Sequence, residues 1–289
     1  MNATPLAAAI ARAIERARAS GALLPLASEQ VSLVEGGIEF RAHWLSSLAL
    51  KDAAKLFNTA DKPADYNPFL PYEQDLWVAD LSATHVALLN KFPLLEKHIL
   101  MVTRRFEEQL ASLTRADFDA VAQTLAALDG LVFYNGGTLG GASQPHKHLQ
   151  WVPSGSFALE TILPAAEQPG QPRRLAAFDF RHAFISLDEG QSTDPARAAA
   201  YLHGAFNQAC AACGIAAENG KLPPYNLLAG RRWMLVVPRR RESWEEGGER
   251  VSMNAMSFAG SLFVRRTEQI ELLRRAGPLA LLKAVTYPA

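Results

Sequence analysis

The sequence predicts an α+β fold, a mainly antiparallel sheet with helices packed on it. Alternating apolar runs follow one another at Gln30–Trp44 and across Asp75–Arg104, separated by short polar breaks, which is how an antiparallel meander reads. A helical pattern over Thr114–Leu128 leads into a strand, a glycine-rich loop and a second strand at Leu131–Pro153. The mixture then returns after Leu175. A chain of 289 residues can bury a sizeable core, as one continuous domain or as two parts sharing a sheet. The Pro- and Gly-containing stretch EQPGQPRR at 167–174 reads as a linker between a first half (1–165) and a C-terminal half (175–289).

Taken in order, NATPLAAAIARAIERARASG places Leu6, Ile10 and Ile14 four residues apart, as on a helix docked by one face. Its arginines and shortage of acids also suit a transit peptide, but Glu15 breaks that pattern and no cleavage-like segment follows. Gln30–Trp44 alternates on either side of Gly36-Gly37, a hairpin signature. ADKPADYNPFLPYE at 60–73 is too rich in Pro and Asp for regular structure, and long loops of this kind often form part of a site. Three strand-like runs follow, DLWVADL, THVALLN and HILMVTR. In the helix after them Thr114 is the N-cap, Asp117 stands at N3, and Phe118, Val121, Leu125 and Leu128 share a face. Beyond Pro153, FALETILPAA suits a short helix.

In the second half Leu175–Leu187 is strand-like, Asp194–Cys213 is helical with Gly214 as its stop, and YNLLAGRRWMLVVPR at 225–239 is a hairpin turning near Ala229-Gly230. RRRESWEEGGER at 239–250 reads as a solvated loop. The C-terminal TEQIELLRRAGPLALLKAV is a helix, a Gly-Pro break and a second helix.

The chemistry concentrates in LVFYNGGTLGGASQPHKHLQWVP. On an extended strand His146, His148 and Gln150 share one face. The preceding Asn135–Gln144 holds four glycines, which lets backbone N–H groups converge on an anion. It matches neither familiar phosphate motif: a P-loop needs Gly-Lys-Ser/Thr, where Gly141 is followed by Ala142 and Ser143, and a dinucleotide fingerprint opens a helix, where Pro145 leads into another extended run. A neutral imidazole carries a free lone pair and attacks phosphorus near neutral pH. His148, central in the row, is the candidate nucleophile, with His146 and Gln150 bonding phosphate oxygens and the loop N–H groups meeting the developing charge. Two other readings stand beside it. The histidines can be ordinary structural residues, or half of a metal site, although His43, His85, His98, His182 and His203 supply no second pair.

The run LLNKFPLLEKHILMVTRRF at 88–106, the run NGGTLGGASQPHKHLQ at 135–150 and the run YNLLAGRRWMLVVPR at 225–239 occur in that order within Val31–Arg266. Together they resemble the diadenosine tetraphosphate phosphorylases, or ATP adenylyltransferases, a branch of the histidine triad superfamily related to the hexose-1-phosphate uridylyltransferases. The resemblance implies a histidine triad-like fold extended by the C-terminal half. It also implies a nucleotidyltransferase that phosphorolyses diadenosine tetraphosphate to ADP and ATP, reversibly, through an adenylyl-histidine on His148. Asn135, Gly140, Gly141, Ala142 and Ser143 would stabilise the transition state. Lys51, rather than Lys55 or an idle surface lysine, would reach the polyphosphate, and Asn90, with Lys91 beside it, would hold a ribose. Asn254, Ala255, Met256, Ser261 and Arg265, in MNAMSFAGSLFVRR, would lie near the ligand. Gln150 implies transfer rather than hydrolysis, because hydrolases of the superfamily place a third histidine there. The alternatives are a sugar-1-phosphate nucleotidylyltransferase, a hydrolase of dinucleoside polyphosphates and a non-catalytic nucleotide sensor.

Composition narrows the partners. Lys+Arg and Asp+Glu both count 29, so no basic field invites nucleic acid or an anionic membrane, and no apolar stretch reaches the length of a membrane span. Small nucleotides and phosphate are the expected partners of a monomer or small homo-oligomer. The covalent chemistry needs no cofactor, and Mg2+ would accompany the polyphosphate rather than occupy a protein cage. Cys210 and Cys213 read as buried reduced thiols rather than a redox pair, which suits the cytoplasm.

Overall fold

The computed structural model describes residues 5–45, 66–159, 163, 169–188 and 194–289. Helix α1 (Pro5–Ala19) buries Ile10, Ala13 and Ala17, with Leu6 and Ile14 packed at the margin of the core. The β1 (Ser28–Glu35) and β2 (Ile38–Leu45) hairpin turns on Gly36 and Gly37, both at positive φ. That is the turn a right-twisted hairpin prefers, and glycine is the residue that tolerates it. Strands β3 (Trp77–Asp80), β4 (His85–Leu89) and β5 (Ile99–Thr103) form the antiparallel meander. Helix α2 (Arg115–Ala127) starts as its sequence demands, with the Asp117 carboxylate accepting the Thr114 N–H at 2.6 Å. It delivers the chain to β6 (Gly130–Gly136) and β7 (His148–Pro153).

The second half supplies β8 (Pro172–Arg173), β9 (Ala183–Ser186), α3 (Pro195–Ala212), β10 (Tyr225–Ala229) and β11 (Trp233–Pro238). The two halves join in one nine-stranded sheet of order β3-β4-β5-β7-β6-β10-β11-β9-β8. Its topology is a repeat: β4-β5-α2-β6-β7 and β8-β9-α3-β10-β11 are each strand, strand, helix, strand, strand. The copies meet where β6 and β10 pair antiparallel, and α2 packs on α3. One face of the sheet is covered by α1, α2 and α3 over a core that includes Phe118, Tyr134, Leu149, Phe206 and Met234. The other packs against β2 and the C-terminal segment through Phe133, Val152, Leu235 and Phe258.

Several expectations change. Residues 239–250 are not a solvated loop: β12 (Ser243–Glu246) and β13 (Glu249–Ser252) pair about Gly247 and Gly248, and Trp244 and Val251 pack on the core. Two apolar side chains on one face outweighed the charges around them. Leu175–Leu187 is strand only at β9, because Phe178 and Phe180 are buried from an irregular turn. The strand expected from His146 begins at His148, since Pro145 has no N–H to donate and His146 makes only an isolated bridge with Glu108. The C-terminal site segment is a one-turn helix α4 (Ala255–Phe258) before β14 (Ser261–Val264), which runs parallel to β2. Helices α5 (Glu268–Ala276) and α6 (Pro278–Ala284) follow on either side of Gly277. Most of the helix expected at FALETILPAA lies outside the described residues. Among the described residues no helix is long and apolar enough to cross a membrane.

Beneath the histidine strand lies a buried ionic cluster. Lys147, wholly buried, places its Nζ 2.6 Å from Glu107 and 3.4 Å from Asp117, while Asp117 also meets His85 Nε2 at 3.1 Å. Burial pushes the Asp117 carboxyl up, but His85, Lys147 and the Thr114 N–H together hold it below its ordinary value. Removing one member strands the others. Asp117→Ala is expected to destabilise the protein by about 3–5 kcal/mol, read as a lower urea midpoint; an unchanged midpoint would show that Glu107 alone compensates Lys147.

Candidate active site

The polar row of β7 opens into the gap between two apolar clusters on one face of the sheet, one around Phe69, Val86, Leu88 and Val102, the other around Phe133 and Met256. His148 lies in the middle of the sheet, paired through β7 to Val102 on β5. Its backbone is clamped by Gln109, whose Oε1 accepts the His148 N–H at 2.9 Å and whose Nε2 donates to the carbonyls of Asn135 (2.9 Å) and His148 (3.2 Å). The His148 Nδ1–H donates to the His146 carbonyl at 2.8 Å. That bond settles the tautomer and leaves the lone pair on Nε2, which has no hydrogen-bond partner among the described residues. Burial first, and the neighbouring His146 second, lower the His148 pKa to about 4 despite the opposing carbonyl bond. The imidazole is therefore neutral and nucleophilic at physiological pH.

His146 is placed differently from the phosphate ligand expected of it. Its Nε2–H donates to the Thr103 carbonyl at 2.9 Å and the Arg105 carbonyl at 3.2 Å, and its Nδ1 accepts from Asn67 Nδ2 at 3.0 Å. Both ring nitrogens are spent on the protein. Phe69 packs against both histidine rings, at 5.6 Å from His146 and 5.3 Å from His148. Asn67 and Phe69 come from the Pro- and Asp-rich loop, which does contribute to the site.

The glycine loop also departs from expectation. Residues Thr138–Gly140 form a 3-10 turn in which the N–H groups of Gly140 and Ala142 donate to the Gly137 carbonyl and that of Gly141 to the Thr138 carbonyl. Three of the amides expected to cradle phosphate are thus used internally. The glycines are needed for a different reason: a Cβ at Gly141 would stand 2.7 Å from the Met253 carbonyl, and one at Gly140 2.8 Å from that of Tyr225. They let the loop lie flat on β10 and on the C-terminal segment. Ser143 stands exposed at the end of the turn.

Beside this loop is a cavity of about 430 Å³ lined by Asn90, Asn135, Gly141 and Gln150 from the first half and by Asn254, Met256 and Arg265 from the second. Phe92, Leu95, Phe263 and Val264 give it apolar walls, the mixture expected of a small-ligand site. Asn135, buried, accepts both the Asn226 Nδ2–H and the Ala255 N–H at 2.9 Å, leaving its own Nδ2 without a partner among the described residues. Ala255 is therefore held at the site by its backbone. Two expected members are elsewhere: Ser261 is buried and donates to the Ser156 carbonyl at 3.0 Å, and Lys91 turns to Glu73. Lys51 and its rival Lys55 lie outside the described residues. Gln109, Asn67, Asn226 and Arg239 were not singled out from the sequence, and nothing in their local pattern marks them. Among the described residues, no three His, Cys, Asp or Glu side chains come together so as to hold a metal ion.

The family described as Ap4A phosphorylase N-terminal domain matches residues 1–167, and that described as ATP adenylyltransferase C-terminal domain matches residues 176–288. The chain is 30% identical over 262 residues to diadenosine 5',5'''-P1,P4-tetraphosphate phosphorylase 2 of Saccharomyces cerevisiae, covering 80% of this chain and 78% of that protein. It is 28% identical over 201 residues to Protein APA1 of the same yeast, covering 63% and 61%. The crystal structure of yeast Ap4A phosphorylase Apa2 superposes with a TM-score of 0.79 at 24% identity, covering 100% of this chain and 96% of that one. Apa2 in complex with Ap4A gives 0.75 at 23%, covering 100% and 99%. The fold is thus shared over the whole chain.

Burial lowers the pKa of His98 and of His182, like that of His148, to about 4 from 6.5. As pH falls through that window the unfolded chain takes up protons that the native state refuses, so stability is lost between about pH 6.5 and 4. The thermal midpoint is expected to drop between about pH 7 and 4.5; a level midpoint across that range would contradict the buried neutral state of these rings.

Proposed function

Starting from a chain that belongs to the Ap4A phosphorylase family, we infer that it phosphorolyses diadenosine tetraphosphate to ADP and ATP, and runs in reverse, through His148. The supporting observation is the imidazole itself: Nδ1–H fixed on the His146 carbonyl, Nε2 without a partner among the described residues, and Gln150 two residues along the same strand. The Nε2 lone pair attacks an α-phosphorus, a P–N bond forms, the P–O bond to the rest of the polyphosphate breaks, and ATP leaves. An oxygen of inorganic phosphate then attacks the same phosphorus, the P–N bond breaks, and ADP leaves with His148 restored.

We assign Gln150 and the Nδ2 of Asn135 to the phosphoryl oxygens as charge develops. Asn90 takes ribose hydroxyls, Met256 and the apolar walls the base, and Arg265 a phosphate at the mouth of the cavity. His146 acts as a positioning residue, since it fixes the His148 tautomer through its carbonyl. Lys51 is assigned to the polyphosphate on the sequence resemblance. The covalent steps require no metal, and Mg2+ accompanies the polyphosphate. We place the reaction in the cytoplasm; the free, buried thiols of Cys210 and Cys213 support this.

The test is incubation with diadenosine tetraphosphate, with and without inorganic phosphate, beside His148→Ala. Equal ADP and ATP are expected only when phosphate is present, with turnover by the variant lower by at least about 10³-fold. AMP and ATP formed without phosphate would make the protein a hydrolase, and no product at all would favour the sugar-nucleotide or sensor alternatives.

A further inference from the structure

Behind Gln150 the hydrogen bonds form a chain with one direction. It begins at a backbone group that can only donate: the Phe92 N–H gives to Asn90 Oδ1 at 3.1 Å. That contact assigns the Asn90 amide, so its Nδ2 must be the donor at the 3.1 Å contact with His98 Nδ1. An imidazole accepting at Nδ1 carries its proton on Nε2 when neutral. His98 Nε2–H therefore donates to Gln150 Oε1, at 2.9 Å. With Oε1 engaged behind it, the Gln150 amide turns its NH2 group forward. A donor is what a phosphoryl oxygen gaining charge requires.

From this polarity we propose that His98 is a positioning residue for adenylyl transfer, holding the Gln150 amide so that it presents donors to the phosphoryl group. The inference rests on the function proposed above and adds a residue to it. His98 lies outside the histidine row, on the loop that opens β5, yet lines the same cavity as Asn90 and Gln150. Its ring also packs on Phe133, at 5.8 Å, which restrains the imidazole plane. Without His98 nothing in this chain of contacts distinguishes the two faces of the Gln150 amide, and the flipped form would turn a carbonyl oxygen toward an anion. Asn90 keeps its own orientation in that case, because the Phe92 N–H remains.

The experiment is a double-mutant cycle on phosphorolysis of diadenosine tetraphosphate, using His98→Leu, Gln150→Ala and the combination, with kcat and KM measured separately and each variant's melting midpoint recorded. His98→Leu is expected to lower kcat by about 10²-fold, the cost of misdirecting one group at the reacting centre, with KM changed by less than about threefold. In the Gln150→Ala background the same substitution should change kcat by less than about threefold, because its object is already gone. His98→Gln, which keeps one donor and one acceptor, should recover part of the loss, and it replaces the leucine variant in the cycle if that one does not fold. A full loss persisting in the Gln150→Ala background, or a kcat for His98→Leu within about threefold of the unaltered protein, would overturn the proposal. A proton–nitrogen correlation spectrum of the imidazoles reads His98 directly, whatever the substrate. A neutral ring protonated on Nε2 supports the proposal and one protonated on Nδ1 overturns it, whereas an unaltered protein that makes no ADP or ATP refutes the proposed reaction instead.

Discussion

The site hangs on one buried contact at the middle of the sheet, where Asn226 of β10 stands opposite Asn135 of β6. Asn226 Nδ2 donates to Asn135 Oδ1 at 2.9 Å and to the Gly140 carbonyl at 2.7 Å, while its Oδ1 accepts from Arg239 at 2.6 Å. Arg239 is itself buried, with its remaining donors on the carbonyls of Arg241, Glu242, Met253 and Val285 and its plane over Phe258. Burial lowers its pKa to about 9, which still leaves it charged at neutral pH. A buried cation held by carbonyls rather than a carboxylate ties the glycine turn, the Asn135 amide and the C-terminal segment into one unit. These are the parts that must keep their spacing for a phosphate to be recognised.

How much of this was legible depended on whether a residue's role is set by its neighbours in sequence. The β1–β2 hairpin, the α2 cap and the stop at Gly214 were readable because glycine, threonine and aspartate act there on backbone within a few residues. The alternation that puts His148 and Gln150 on one face is equally local. Gln109, Asn67, Asn226 and Arg239 were opaque, because an amide or guanidinium looks the same in sequence whether it meets water or clamps a strand far away in the chain. His146 shows the limit from the other side: alternation placed it beside His148, but the carbonyls of Thr103 and Arg105 took its Nε2–H and Asn67, from the Pro- and Asp-rich loop, took its Nδ1. The glycine turn was recognised for the right residues and the wrong reason, since close approach of Met253 and Tyr225, rather than amide convergence, is what excludes a Cβ.

Desolvation, more than any single charge, sets the chemistry of the row. Among the described residues no carboxylate orients His148; a backbone carbonyl does that work, and a neutral imidazole is the result. The amides beside it, those of Gln109 and Gln150, carry no net charge, so their contribution lies in direction: which atom of each points forward.

The repeat within the sheet has a consequence for how the protein comes into being. The strand that carries His148 is synthesised in the first half, but its neighbour β6 is an exposed edge until β10 has been made, ninety or so residues later by the register of Asn135 on Asn226. Pairing of such separated strands is slow and late. A nascent or truncated chain ending before Tyr225 would carry an open edge inviting another chain. The Asn135 amide therefore takes up its orientation only once β10 is in place.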